Sequence, residues 1–291
     1  MEKEVETLRN LLEDAVGKNC EKEVGVVYSS GIDSSLIASL ASRHCKVTAY
    51  CAGTEDSEDA KYAKELKGQM GFELRVIEID EGKVEEILPG LIKAIGTYEP
   101  LQVAVGVPLY FAAGEAKKDK LTVLLSGQGG DELFGGYNRY LVHATKGDFE
   151  ALRKAMQRDA ENAYSDNLDR DIAICRSFGI DLRFPYMDKD FSKYAAQLPV
   201  ELKILEVKDK KEFSCIDEVD GRMFIRKYIL RRLGSAVGLP KAVLNRKKKA
   251  AQYGSGSEKL IERLARKNGY KKKAMDAGRT DYVRMYLSSL A

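Results

Sequence analysis

The sequence predicts an α/β protein, a parallel sheet with helices on both faces, followed by a helical C-terminal half. Three observations carry this. Short, near-continuous apolar runs such as VGVVY (24–28) and LTVLL (121–125) are what strands buried on both faces require. Helical periodicities of ten or more residues separate these runs, which implies right-handed crossovers between parallel strands. After about residue 140 the strand signals fade and helical patterns take over.

Element by element, residues 3–16 place Val5, Leu8, Leu11, Leu12 and Val16 at helical spacing, an amphipathic helix. Strands are predicted at Val24–Tyr28, Lys46–Cys51, Glu73–Ile79 and Leu121–Leu125, where β-branched and apolar residues cluster. Between them fall helices at Ser34–Arg43, Ser57–Met70, Val84–Ile95 and Pro108–Lys117. In the second half, helices are predicted at Phe149–Tyr164, Leu168–Phe178 and Met223–Leu233, with Lys203–Gly221 read as a solvated connection. No internal repeat and no Pro/Ser linker occurs. One domain over 1–291 is expected, with 1–145 the α/β nucleotide-binding part and 146–291 mainly helical.

Composition narrows the function classes. With 44% hydrophobic and 32% charged residues in 291, the chain is that of a globular protein with a large core. A formal net charge of +3 predicts no general attraction to nucleic acid or membranes. No apolar run reaches the roughly 20 residues of a membrane span, and MEKEVETLRN is not a signal peptide, so the cytoplasm is the expected location. Cysteines at 20, 45, 51, 175 and 215 form no CxxC pair, and His44 and His143 are the only histidines, which argues against disulfide frameworks and zinc sites.

The chemistry-bearing stretch is VVYSSGIDSSLIASL (26–40). A turn of Ser29, Ser30 and Gly31 after a buried strand points backbone N–H groups into one concavity. The helix that follows adds the positive end of its dipole. This is an anion site suited to phosphate, but neither GxxxxGK[ST] nor GxGxxG is present. Asp33 beside such a cradle would be repelled unless a cation intervened, so Mg²⁺ bridging carboxylate and phosphate is expected. A second acid follows another strand: SGQGGDELFGGY (126–137) carries Asp131 and Glu132 among five glycines in twelve residues.

These residues carry a family resemblance. SSGIDSS is similar to the SGGxDS signature of the PP-loop ATP pyrophosphatases, with Ser30 in place of the first glycine. Together with SGQGGDELFGGY it resembles the synthetase domain of asparagine synthetase and its β-lactam synthetase relatives. LLEDAV (11–16), FGIDLRFPYMDKDF (178–191), KYILRRLGSAVGLP (227–240) and RKKKAAQYGSG (246–256) resemble further blocks of that family in the same order. The resemblance implies a PP-loop (adenine nucleotide alpha hydrolase-like) fold. It also implies a two-step reaction: a carboxylate is adenylated by ATP with release of pyrophosphate, and an amine then displaces AMP.

Carried over residue by residue, Ser29, Ser30, Gly31, Asp33, Ser34 and Ser35 would hold the pyrophosphate of ATP. Val27, Ala49, Ser126 and Gly127 would frame the adenosine, and Asp33 and Asp131 would bind Mg²⁺. Lys248 aligns with the family lysine that faces the α-phosphate, whereas the run Lys271–Lys273 reads as a solvated face. Glu132, Tyr137, Asp181, Arg183 and Asp188 would brace the substrate pocket. Two departures stand out. The family's N-terminal glutaminase domain, with its cysteine after the initiator methionine, has no counterpart at Glu2, so free ammonia or a separate glutaminase subunit is the expected nitrogen source. Gln128 stands where the family has Glu. A glutamate there can orient an amine or accept its proton, but a glutamine cannot act as a base near neutral pH. Amide formation should then rely on another base or on water, or the acceptor should differ from aspartate.

The leading reading is therefore an ATP- and Mg²⁺-dependent amide synthetase acting on a small carboxylate, aspartate first, with a homodimer among its expected states. The alternatives are the same chemistry on another carboxylate, a tRNA-modifying PP-loop enzyme, and a non-catalytic nucleotide-binding regulator that Gln128 would suit. The absence of CxxC and the DELFGGY block count against the tRNA enzyme.

Overall fold

The computed structural model describes residues 1–209 and 212–291. Helix α1 (Glu2–Asn19) buries the stripe Val5, Leu8, Leu12 and Val16. Then come β1 (Glu23–Val27), α2 (Ile32–Ala41), β2 (Lys46–Gly53), α3 (Glu58–Leu66), β3 (Glu73–Glu78), α4 (Glu81–Ile95), α5 (Pro100–Lys118) and β4 (Val123–Leu125). The next elements are α6 (Gly130–Phe134), α7 (Arg139–Lys146), α8 (Phe149–Glu161), α9 (Asp169–Ser177), β5 (Asp181–Arg183), α10 (Lys189–Gln197) and α11 (Val200–Lys203). Strands β6 (Ile204–Val207), β7 (Asp217–Val219) and β8 (Arg222–Arg226) precede α12 (Tyr228–Val237). The chain finishes with α13 (Lys241–Leu244), α14 (Ala251–Gly254), α15 (Ser257–Lys267), α16 (Tyr270–Asp276) and α17 (Tyr282–Ser288).

Strands β1 to β5 form one parallel sheet in the order β3-β2-β1-β4-β5, with Val26 opposite Ala49 on one side and Leu125 on the other. The chain moves outward from β1 to β3, then returns across β1 to place β4 on its other side. That reversal opens a crevice at the carboxyl ends of β1 and β4, where open α/β sheets bind ligands.

Because side chains alternate along a strand, each strand feeds both layers of core. Val24, Val26, Val47, Ala49 and Cys51 pack with Leu8, Leu36, Ile37 and Ile229 of α1, α2 and α12. Tyr50, Ala52 and Leu124 pack with Leu88, Val107, Ile174 and Leu264 of α4, α5, α9 and α15. Each such Val, Leu or Ile is worth roughly 1.5–3 kcal/mol over leaving it in water.

The structure departs from the sequence reading in four places. Helix α5 begins at Pro100, which occupies its first turn, and it tolerates Pro108 inside rather than starting there. The predicted helix Met223–Leu233 is strand β8 as far as Arg226, and only then helix α12. The stretch MFIR is drawn into the sheet because β8 is the central strand of a second, antiparallel sheet ordered β6-β8-β7. Part of Lys203–Gly221, read as a solvated connection, is therefore strand; Lys210 and Lys211 lie outside the described residues. The C-terminal half also contributes β5 to the edge of the main sheet.

Candidate active site at the carboxyl ends of β1 and β4

The loop after β1 is shaped by one left-handed residue. Ser30 has φ 58 and is fully buried, and its hydroxyl donates to the Asp59 carbonyl at 3.2 Å. The hydrogen bond offsets a conformation that normally favours glycine. Gly31 then starts α2 with no side-chain cap, so N–H groups of the first turn stay available to a ligand. The Ser29 and Ser34 hydroxyls lie 3.4 Å apart across this opening.

The loop after β4 approaches the same point because two glycines let it. A Cβ on Gly127 would sit 3.0 Å from the Ser34 backbone nitrogen, and one on Gly130 would sit 2.6 Å from Asp33 Oδ1. This contact brings Asp131, on α6, beside Asp33, on α2. Two lysines from the C-terminal half complete the cluster. The fully buried Lys227 ammonium bridges Asp33 Oδ2 and Asp131 Oδ1, the latter at 2.7 Å. Lys248 reaches Asp131 Oδ2 at 2.8 Å.

The cleft around this cluster is strongly basic although the whole chain is nearly neutral. Lys227, Arg231, Arg246, Lys247, Lys248 and Lys249 line it, against Asp33 and Asp59. The segment bearing Lys248 is held in place by buried arginines. Arg246 donates to the Ser29 carbonyl and pairs with the Asp59 carboxylate, while stacking over Tyr62 at 4.6 Å. Arg231 donates to the carbonyls of Arg226 and Arg246 at 2.9 and 3.1 Å. An adjoining cavity, lined by Val27, Tyr50, Ala52, Val105, Pro108 and Leu109 with Ser126, Gly127 and Gln128, offers an apolar slot beside the charges.

A turn that presents N–H groups, two carboxylates and a basic cleft at a sheet's switch point is one arrangement with many owners, so the sequence comparisons decide between them. The Asparagine synthase family model matches residues 7–151 and 144–284. The chain belongs to the asparagine synthase family. It is 39% identical over 270 residues to "Putative asparagine synthetase (glutamine-hydrolyzing) 1" of Methanocaldococcus jannaschii, covering 87% of this chain and 50% of that one. It is 28% identical over 267 residues to the asparagine synthetase (glutamine-hydrolyzing) of Brassica oleracea, covering 86% and 42%. The chain thus spans about half the length of the curated relatives it matches. Among solved structures, NMN synthetase from Francisella tularensis is 13% identical with a TM-score of 0.43 over 99% of this chain and 92% of that one.

Of the residues expected to form an asparagine synthase site, Val27, Ser29, Asp33, Ser34, Ser126, Gly127, Gln128, Asp131 and Lys248 line the apolar cavity, and Gly31 lines the basic cleft. Others point elsewhere. The Ser35 hydroxyl bonds Tyr28 at 3.0 Å inside the core, and that of Ser30 faces Asp59. Ala49 packs on the α2 side of the sheet, so Tyr50 and Ala52, of opposite parity, reach the cavity instead. Glu132 is buried and accepts the Tyr137 hydroxyl at 2.5 Å, away from both openings. Arg183 pairs with Asp181 at 2.7 Å and donates to the Asn19 carbonyl at 3.0 Å, tying β5 to the end of α1. Asp188 caps α10. These last three stabilise the scaffold rather than line the site.

Lys227 was not singled out, although the block KYILRRLGSAVGLP begins with it. Asp59, Arg246 and Asp171 were not singled out either. Asp171, on α9, lines the cavity and accepts the Gln128 side-chain amide at 2.9 Å.

The electrostatics follow from burial set against pairing. Burial would raise the Asp131 carboxyl, but the Lys227 and then the Lys248 ammonium outweigh it and hold the group well below the usual carboxylate range. Burial works to lower Lys248, and Asp131 and then Asp33 reverse this and raise it. Glu132 is raised, chiefly by burial and then by neighbouring Asp131. Asp33 Oδ1 and Glu132 Oε2 are buried without a hydrogen-bond partner, and Asp131 Oδ1 has only its ion pair with Lys227. Among the described residues no group of three or more His, Cys, Asp or Glu could hold a metal ion by itself. Mg²⁺ does not need one, since it commonly takes one or two carboxylates and completes its shell with phosphate oxygens and water. The donor set therefore fits a metal that arrives with a nucleotide. Among the described residues no helix is long and apolar enough to cross a membrane.

Proposed function

We propose that the chain is an AMP-forming amide synthetase, which adenylates a carboxylate with ATP and then transfers ammonia to it, with aspartate the leading acceptor. The observation that carries this is the four-member cluster of Asp33, Asp131, Lys227 and Lys248, drawn from four separate segments to the mouth of an uncapped helix.

In this reading the adenine and ribose occupy the apolar slot beside Val27, Tyr50, Ala52 and Leu109. The β- and γ-phosphates lie against Ser29, Gly31, Ser34 and the basic cleft. Asp33, whose Oδ1 lacks a hydrogen-bond partner, would hold Mg²⁺ with Asp131 as second carboxylate, and the metal would supply neutralisation of phosphate charge. Lys248 faces the α-phosphate, where negative charge grows as the substrate carboxylate attacks and pyrophosphate leaves. Lys227 keeps the two acids from repelling each other. Residues 1–145 supply the nucleotide loops and residues 146–291 supply both lysines, which supports one working unit over 1–291. Ammonia, free or delivered by a separate glutaminase subunit, is the amine.

The test is ATP–pyrophosphate exchange scanned over candidate acids, because exchange requires reversible adenylation of the true acceptor. Exchange with aspartate supports the leading reading. Exchange with another acid alone moves the assignment to that acid. No exchange with any acid overturns the synthetase reading.

A further inference from the structure

Amide formation has a proton to dispose of, and the side chain nearest the family's acidic position, Gln128, cannot take it. The cavity does contain a carboxylate at that spot. Asp171 is 4% exposed, lines the same cavity as Ser126, Gly127 and Gln128, and comes from α9, a helix no motif marks. Its Oδ2 accepts Gln128 Nε2 at 2.9 Å, and its Oδ1 accepts Arg170 Nε at 2.8 Å and faces Arg170 Nη2 at 2.7 Å. Arg170 is itself fixed by donating to Gln102 Oε1 at 2.8 Å.

The other acids of the cavity are committed. Asp33 and Asp131 face lysines and are assigned to Mg²⁺ in the reading above, and Asp59 faces Arg246. Asp171 meets its arginine through Oδ1 alone: Arg170 Nε donates to Oδ1 and Gln128 Nε2 to Oδ2, which leaves a lone-pair site on Oδ2 facing the cavity.

Resting on the synthetase reading above, we infer that Asp171 is the catalytic residue that orients ammonia and receives its proton, with Gln128 the positioning residue that aims it. The nitrogen lone pair forms the C–N bond to the acyl carbon of the adenylate, and the nitrogen becomes cationic. One of its protons passes to Asp171 Oδ2. The C–O bond to the phosphate then breaks, its electron pair leaving with AMP, and Asp171 returns the proton to water. The carboxylate that the family resemblance implies at position 128 is thereby moved one side chain outward, with glutamine as the spacer.

Two readouts separate the steps: ATP–pyrophosphate exchange with the acid that supports it, and ammonium-dependent amide formation. Asp171→Asn should lower amide formation by about 10²- to 10⁴-fold, the range for removing a general base, while exchange falls far less. With hydroxylamine, a nucleophile that is largely unprotonated at neutral pH, the loss should shrink. The double variant Gln128→Glu/Asp171→Asn, which returns the carboxylate to position 128, should form amide at least about tenfold faster than Asp171→Asn alone. Because exchange reports a folded, nucleotide-competent protein, a variant that merely unfolds loses both signals. Equal loss of exchange and amide formation in both variants would therefore overturn the inference, as would undiminished amide formation in Asp171→Asn. A wild-type protein silent in exchange with every acid would instead overturn the synthetase reading, and this inference with it.

Discussion

Replacing Lys227 by Met removes the ammonium that two buried carboxylates share while keeping a side chain of similar length. The Lys227 side chain is 0% exposed, and those of Asp131 and Asp33 are 11% and 16% exposed, so little water is at hand to replace it. Removing one partner of a buried pair costs about 3–5 kcal/mol, and the slight exposure of the acids argues for the low end, about 3 kcal/mol. Met inherits the left-handed backbone of Lys227, φ 57, so backbone strain cancels in the comparison. For a chain of this size the melting temperature should fall by roughly 6–12 °C. The pH dependence has a definite sign. In the native protein Asp131 is held below its unfolded value near 3.9, so its contribution is complete above that value and is lost as pH falls through the lower folded one. Without Lys227 the largest influence lowering Asp131 disappears and burial raises it. The variant's deficit should then be greatest at pH 8 and smaller at pH 5, where an acid with a raised value begins to take up its proton. Urea unfolding of both proteins at the two pH values measures this. A deficit below about 1 kcal/mol, or one equal at pH 5 and pH 8, would refute the idea that Lys227 neutralises the pair.

Three further outcomes are expected. Asp33→Asn should lower exchange by at least about 100-fold and weaken its Mg²⁺ dependence, read from a Mg²⁺ titration; an unchanged titration removes Asp33 from the metal role. Lys248→Ala should reduce turnover about 100-fold or more with a much smaller change in ATP affinity, whereas Lys271→Ala, on the exposed face of α16, should change neither; steady-state kinetics with binding titration separates them, and equal effects would displace Lys248 from the α-phosphate. Gly136→Ala would drive a Cβ into the Asp131 carboxylate and Lys227 Cε, and should cost about 1–3 kcal/mol in urea unfolding; a neutral result would mean the loop yields more easily than its packing implies.

How far the sequence could carry a reader depended on how local each signal was. Asp33 and Asp131 were legible because each follows directly on an apolar strand, and a strand's end fixes where its loop must go. Lys248 was legible only through its flanking block, since a run of four basic residues otherwise reads as a wet surface. The resemblance places Ala49 at the nucleotide, near the end of β2. With a side-chain period of two, an odd shift in position reverses the face, and Ala52 is the residue that arrives. Lys227 was hidden by a misread period: MFIR joins smoothly to the helical pattern of YILRRL, and nothing in composition announces the left-handed residue between strand and helix. That break is what turns the lysine inward, so the misread element and the overlooked residue share one cause.

Asp171 was hidden more deeply. It stands 43 positions from Gln128 on a helix with ordinary amphipathic spacing, and only the packing of α9 against α5 beside β4 brings the two together. Yet the sequence did pose the question that Asp171 answers. In the proposed reaction, glutamine at position 128 leaves a proton-releasing step without the charge that the family resemblance implies there, so either the step changes or another group supplies the charge. The structure places a buried carboxylate in hydrogen-bond contact with that glutamine, and this gives Gln128→Glu alone an unfavourable expectation. The introduced acid would face Asp171 Oδ2 in place of an N–H donor, and like charges at hydrogen-bond distance in a buried site cannot both remain ionised. The single substitution should therefore slow amide formation, and the double variant, which keeps one acid, should be the faster of the two. If Gln128→Glu alone instead accelerates amide formation, the two acids do not oppose each other, and position 128 acts without Asp171.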